Sequence, residues 1–292
     1  MMGEVELVLD AKATLGEGPC WDAEKQLLYW VDIKEKKVNI FSPATGENRE
    51  IQLEQNVGTI VPRNTEEAAV ALEDGLYLLN FEAEKLTLIK ELESDIPSNR
   101  FNDGKCDPAG RFWAGTMDKQ GAGAEGALYC LDTDQQVEKK LDQLGISNGL
   151  AWSPDNRFMY FIDTPTKKIS RFDFDLGTGT IENRTEVISF PEGAGAPDGM
   201  TIDGEGMLWI AHYGGGKVSR WNPHTGKQLS EIKVPAKNVT CCTFGGGDLK
   251  DLYITTARDG LNEEQLKEYP LSGGLFRVKT DVKGSPAYSY KG

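Results

Sequence analysis

Six positions in this chain could act together through oxygen donors alone: Glu17, Thr59, Asn102, Asn148, Asp198 and Thr240. Each has a glycine or small residue beside it, in LGEGP, VGTI, RFNDGK, ISNGL, APDGM and NVTC, and each lies about 11 to 13 residues before the centre of a β-rich run. Two carboxylates and two carboxamides brought to one spot would need a counter-charge, because uncompensated charge in a low-dielectric interior is expensive. A hard divalent cation supplies it. Oxygen-only donors suit calcium, magnesium or manganese, and zinc is admitted through the carboxylates. Taken singly, Asn-Gly, Asp-Gly and Glu-Gly are turn dipeptides. Four such polar residues at one repeat phase, in apolar surroundings, argue for a shared site.

The composition narrows the chemistry further. Two histidines, His212 and His224, are too few for a His-rich zinc site or an HExxH helix. Five scattered cysteines without a CxxC pair indicate neither a disulfide framework nor a zinc knuckle, and fit a reduced, cytoplasmic location. The 46 acidic residues against 32 basic ones, for a net charge of −14, argue against a nucleic-acid partner. No run of 18 apolar residues exists, and MMGEVELVLDAKA has neither a basic n-region nor an apolar h-region, so neither membrane spanning nor standard secretion is expected. Smaller features read as structural. His212 ends a strand as a satisfied polar residue, and His224 sits in a solvent-facing turn. Cys241 and Cys242 are small buried hydrophobes on opposite faces of a strand. GGGK at 214–217 lacks the phosphate-loop pattern and reads as a hairpin turn.

The elements that must hold the six positions repeat along the chain. Aromatic strand-like runs recur as LLYWVD, RFWAGT, FMYFID, MLWIAH and DLYITT, with a weaker copy, AAVALEDG, in the one gap. From Tyr29 through Val70, Trp113, Tyr160 and Trp209 to Tyr253 the spacings are 41, 43, 47, 49 and 44 residues. Six copies at this period predict an all-β, six-bladed β-propeller forming one domain over residues 1–292, with a central metal-binding channel. Turn clusters precede the aromatic runs (DAEKQ, DPAG, SPDNR, DGEG), and a third strand-like run follows in KKVNIF, KKISRFDFD and GKVSRWNP. Helical periodicity is absent apart from a short turn at EEQLKEYP. The first strand of each blade lines the channel of a propeller, which places the six positions in a ring. The alternating EVELVLDAKA is expected to pair with the last blade and close that ring.

LGEGPCWD, RFNDGKCDPAGRFWAGTMD, ISNGLAWSPDN and PDGMTIDGEGMLW, with the closing CCTFGG, TTARDG and SYKG, resemble the regucalcin (senescence marker protein), gluconolactonase and luciferin-regenerating enzyme family. The resemblance runs from about residue 5 to the C-terminus. It implies one divalent metal in the channel and hydrolysis of a small-molecule sugar lactone. By the same resemblance Glu17, Asn148 and Asp198 are metal ligands, Asp198 is also the general base, and Arg100 and Asn102 bind substrate. Asp103 assists through a water or a substrate hydroxyl. The chain departs from the mammalian members after its GTM segment, where they carry a longer loop with a substrate-contacting Glu. Here the shorter DKQGAGAEGALY stands, with Glu125 inside it.

The reaction that follows is metal-assisted lactone hydrolysis, with the carbonyl oxygen polarised by the cation and the attacking water deprotonated by Asp198. Two alternatives stand beside it: phosphotriester hydrolysis in the same site, and a calcium-binding regulatory protein without turnover. The chain has no DxDxDG loop of the calcium-sensor kind, which favours catalysis.

Overall fold

The computed structural model describes residues 3–292, so the first two residues of the expected domain lie outside the described residues. Among the described residues, 24 strands form six four-stranded antiparallel sheets in sequence order, the all-β six-bladed propeller that the repeat predicts. The first blade is β2 (Gly16–Asp22), β3 (Leu27–Asp32), β4 (Lys37–Phe41) and β5 (Asn48–Gln52). The second is β6 (Thr59–Pro62), β7 (Glu67–Ala71), β8 (Gly75–Asn80) and β9 (Lys85–Glu91), and the third is β10 (Asn99–Cys106), β11 (Phe112–Asp118), β12 (Gly126–Leu131) and β13 (Val137–Leu144). The fourth comprises β14 (Ser147–Trp152), β15 (Phe158–Asp163), β16 (Lys168–Asp175) and β17 (Thr180–Ser189). The fifth comprises β18 (Ala196–Ile202), β19 (Leu208–Tyr213), β20 (Lys217–Asn222) and β21 (Lys227–Lys233). The sixth joins β22 (Asn238–Gly245), β23 (Asp251–Ala257) and β24 (Leu275–Lys279) to β1 (Glu6–Leu9) from the other end of the chain. β1 lies antiparallel to β24, with Leu7 opposite Phe276 and Glu6 bound to Arg277 at 2.7 Å. The N-terminal segment therefore closes the ring and covers the edge that β24 would expose.

The repeating residues Tyr29, Val70, Trp113, Tyr160, Trp209 and Tyr253 all sit on second strands, and none is more than 2% exposed. Aromatic contacts then join blade to blade: Trp21 stacks on Tyr253 at 5.7 Å, Trp113 meets Trp152 edge-on at 5.9 Å, and Trp209 meets Phe244 edge-on at 5.6 Å. The turn clusters before the aromatic runs work through their aspartates. Asp107 Oδ1 accepts from the amides of Ala109 and Arg111, while its Oδ2 accepts from the Trp113 indole and the Arg111 guanidinium. Asp203 repeats the device with Glu205, Met207, Trp209 and Arg220. An Asx turn and an anchor for the next strand are thus made by one side chain.

The glycines beside Glu17, Asn148 and Asp198 lie in strands, where they permit close approach of neighbouring blades and make no turn. A Cβ at Gly149 would stand 2.8 Å from the carbonyl oxygen of Asp198, and one at Gly199 would collide with Cys241 Sγ. Where a short turn is expected at EEQLKEYP, the chain forms a six-residue helix, α1 (Glu263–Glu268), started by a capping box between Asn262 and Gln265. No helix among the described residues is long and apolar enough to cross a membrane. The C-terminal segment crosses the far ends of the inner strands: Ser285, Tyr290 and Lys291 donate their amides to the carbonyls of Ile202, Pro62 and Gly110.

Two outcomes follow. Gly199→Ala forces β18 and β22 apart and should lower the unfolding free energy by about 1–3 kcal/mol, measured by urea denaturation. Removing residues 1–9 exposes the β24 edge, and the urea midpoint should fall for the whole ring in one transition.

Candidate active site

The inner strands β2, β6, β10, β14, β18 and β22 carry Glu17, Thr59, Asn102, Asn148, Asp198 and Thr240 in that order. In five blades the pairing of inner and second strands slips at or beside this residue, from Glu17 to Cys20, Phe101 to Gly104, Ser147 to Leu150, Pro197 to Met200 and Val239 to Cys241. Such bulges re-aim a side chain out of the regular pleat. The second blade pairs without a slip.

Glu17, Asn102, Asn148 and Asp198 line one cleft of about 440 Å³ together with Arg100. Thr59 and Thr240 do not: their hydroxyls donate to the carbonyls of Gly104 and Gly16 in the next blade. Asp103 also stands outside the cleft lining. Its Oδ1 accepts from the Gly104 amide, and its Oδ2 is buried without a partner.

The five residues at the cleft floor are only 3% to 6% exposed. Arg100 Nη1 donates to Asn102 Oδ1 at 2.8 Å and to the Phe101 carbonyl at 2.9 Å. Asn102 Nδ2 donates to the Ser147 carbonyl at 2.9 Å and faces Asn148 Oδ1 at 3.3 Å. Asn148 Nδ2 in turn donates to Thr164 Oγ1, whose hydroxyl donates to the Pro197 carbonyl. Asn102 is therefore oriented by the next blade, and Asn148 by Thr164 of its own blade, which is itself tied to the fifth blade.

Burial holds the Glu17 and Asp198 carboxyls well above the usual carboxylate range. The charges of Asp198 and Asp103 push Glu17 further up, and Asp103 does the same to Asp198. Arg100 opposes both shifts, with the Gly18 amide helping at Glu17 and Asn148 at Asp198. Asp103 is raised by its own burial, offset by Lys105 and the Gly104 amide. Among the described residues no three His, Cys, Asp or Glu side chains gather as a metal cluster. The available donors at the floor are the two carboxylates Glu17 and Asp198 with the carboxamide Asn148. Their oxygens and the buried, mutually repelling acids fit a place for a hard divalent cation.

Other side chains position or border this floor without having been singled out in the sequence. Asp32 accepts from the amides of Thr14 and Leu15 and so sets the path into Glu17; Asp163 accepts from Gly145 and Ile146 and sets the path into Asn148. Both end an aromatic run at the same phase, LLYWVD and FMYFID, which was the available signal. Asp118 caps the turn that brings Lys119, Gln120 and Gly121 to the cleft. Glu125 is exposed and lies outside the cleft lining, and its carbonyl accepts from Asn99. Lys34, Tyr213 and Asp259 complete the opposite rim.

Fold and floor together define a six-bladed propeller with an oxygen-donor cluster at one end of its channel. The chain belongs to the SMP-30/Gluconolactonase/LRE-like family, whose region matches residues 15–258. It is 42% identical over 286 residues, 98% of each chain, to a Bacillus subtilis (strain 168) protein named as a sugar lactone lactonase. It is 40% identical over 295 residues, 99% of each chain, to regucalcin of Oryctolagus cuniculus. Among solved structures, a luciferin-regenerating enzyme superposes with a TM-score of 0.94 at 33% identity, covering 99% of both chains. A calcium-binding protein, regucalcin from Agrobacterium tumefaciens, also superposes with a TM-score of 0.94, at 30% identity over 99% of this chain and 97% of that one.

The remaining singled-out residues are structural. His224 is exposed in its turn, Gly214–Gly216 make the turn between β19 and β20, and Cys241 and Cys242 are buried thiols. His212 is buried. Its Nδ1 donates to the Ala194 carbonyl at 2.7 Å, and its Nε2 accepts from the Ser219 hydroxyl, which itself accepts from the Trp221 indole. This arrangement holds the ring neutral, and burial pushes its pKa down to about 4. An unfolded histidine takes its proton near pH 6.5. The folded pKa is the lower one, so this contribution is complete above pH 6.5 and is lost as pH falls toward about 4. Unfolding free energy measured in urea should drop by about 1.4 kcal/mol per pH unit more steeply across that window in the natural protein than in His212→Gln.

Proposed function

We propose that the protein is a metal-dependent sugar lactonase in which Glu17, Asn148 and Asp198 hold one divalent cation. The observation that carries this reading is the meeting of two buried, proton-avid carboxyls with one carboxamide on the floor of a cleft. The name of the Bacillus subtilis relative supports the substrate class, and the calcium-binding title of the Agrobacterium structure supports the cation. The cation when bound supplies positive charge to the lactone carbonyl oxygen.

The chain's own residues do the rest. Arg100 and Asn102, already hydrogen-bonded to one another, present donors to the substrate's oxygens and fix the ring over Asp198. Asp198 takes a proton from the attacking water as the new C–O bond forms at the carbonyl carbon. The proton then passes to the ring oxygen as the ring ester bond breaks, and the product is the open hydroxy acid. Asp103 lies behind the floor and reaches the substrate only through an intervening hydroxyl or water. The five buried, unpaired cysteines support a reducing compartment, the cytoplasm.

The test is proton release from a six-carbon aldonolactone by chelator-stripped protein with calcium, magnesium, manganese or zinc restored singly. At least one cation should restore turnover and raise the melting temperature. Asp198→Asn should lower kcat by about a hundredfold or more. Cation binding without hydrolysis of any lactone would transfer the protein to the calcium-binding reading, and turnover of an organophosphate triester in place of lactones to the phosphotriesterase one.

A further inference from the structure

The rim of the cleft carries an ion pair whose members come from opposite ends of the chain. Lys34 lies in the turn between β3 and β4, Asp259 lies just after β23, and Lys34 Nζ meets Asp259 Oδ1 at 2.7 Å. Both line the same cleft as Glu17, Asn148 and Asp198. Both remain accessible, with side chains 45% and 30% exposed, so a substrate's distal atoms can reach them.

Asp259 is held firmly. Its amide donates to the Thr14 carbonyl at 2.8 Å, and its own carbonyl accepts from Tyr213 Oη at 3.0 Å and Asn238 Nδ2 at 2.8 Å. Thr14 is in turn fixed by Asp32. An exposed ion pair is worth little to stability, yet this one is anchored by three hydrogen bonds to its backbone and faces the site. That placement points to recognition.

We infer that Lys34 and Asp259 form a diol-reading clamp that selects lactones bearing a polyhydroxylated tail. This rests on the lactonase reading and names its substrate class. The chemistry is one of complementary donors and acceptors. An ammonium only donates hydrogen bonds, an ionised carboxylate only accepts them, and a hydroxyl does both. Two adjacent hydroxyls therefore satisfy the pair, one accepting from Lys34 Nζ and the other donating to Asp259. A carboxylated tail would face the charge of Asp259, and an amine would face that of Lys34. A bare alkyl tail would strip water from both and return no hydrogen bond, the kind of loss by which polar sites reject substrates that lack a hydroxyl.

The experiment compares kcat/KM for a six-carbon aldono-1,4-lactone, whose C5 and C6 hydroxyls form a diol tail, and for γ-caprolactone, whose tail is a bare ethyl group, in the natural protein, Lys34→Met, Asp259→Asn and the double variant. The ratio of the two kcat/KM values should fall about tenfold or more in each single variant, mostly through KM for the polyol lactone. The double variant should lose little beyond either single one, because the pair acts as a unit. Equal loss on both lactones, or no loss, overturns the clamp. Binding of the cyclic alditol that lacks the lactone carbonyl, measured by calorimetry, separates this failure from that of the lactonase reading. If the natural protein hydrolyses neither lactone, the lactonase reading falls. The clamp then stands if Lys34→Met weakens alditol binding about tenfold, and falls if binding is unchanged or absent.

Discussion

The structure turns on the burial of Glu17 and Asp198 at one end of the channel, with Asp103 behind them. Taking carboxylates out of water is costly unless opposite charge or hydrogen bonds replace the lost hydration. Arg100 is a protein cation whose charge acts on the first two, and it is itself so buried that its guanidinium is held below its ordinary proton affinity. One desolvated guanidinium facing Glu17 and Asp198, with Asp103 behind them opposed by Lys105, leaves an acidic excess at the floor. An arrangement of this kind persists only on a scaffold stiff enough to prevent the acids from moving apart, and the propeller is such a scaffold. Each acid stands on a different blade, and each blade is wedged between two others.

The wedging has its own hydrogen-bond logic. Inner strands of neighbouring blades do not pair as a sheet, so their buried carbonyls need other donors. Side chains at the ring supply them. Thr59 reaches Gly104, Asn102 reaches Ser147, Thr164 reaches Pro197 and Thr240 reaches Gly16, each crossing to the next blade. The ring positions therefore divide into residues that stitch blades and residues that face the cleft, and Asn102 does both. Glycines near some of these positions let the strands come close enough for such bonds. An added Cβ at Gly104 would stand 2.7 Å from Thr59 Cγ2, within that same stitch.

Much of this was legible in the sequence because every blade repeats one task at one phase. A second strand must bury its centre, so an aromatic residue recurs there, and even the weak copy keeps Val70 fully buried. The inner-strand residue sits at a nearly constant offset because a tight turn joins the two strands, and that offset located Glu17, Asn102, Asn148 and Asp198. It could not say that Thr59 and Thr240 spend their hydroxyls on backbone, since this depends on how closely neighbouring blades approach. The bland reading of the Asx-Gly pairs as turns failed for a related reason: the glycine answers to the adjacent blade and not to its own chain direction. The rim was not legible at all, for Lys34 and Asp259 are 225 residues apart and meet only because the ring closes.

Ring closure and site geometry are consequently one problem. The seam between the sixth and first blades is crossed by the Leu15–Ala257 bridge, by the Thr240 stitch to Gly16 and by the amides of Arg258 and Asp259 on Thr14. Glu17 lies on one side of that seam, and Asp259 and Tyr213 lie on the other. β1 adds the last strand of the sixth blade and so stiffens the side from which Asp259 projects. A loosened seam would widen the distance between Glu17 and the remaining donors before any blade lost its own sheet, because the hydrogen bonds within a blade outnumber those between blades. The chain thus places the first residue of its acidic floor, and the pair at its rim, where the two ends of the propeller are fastened together.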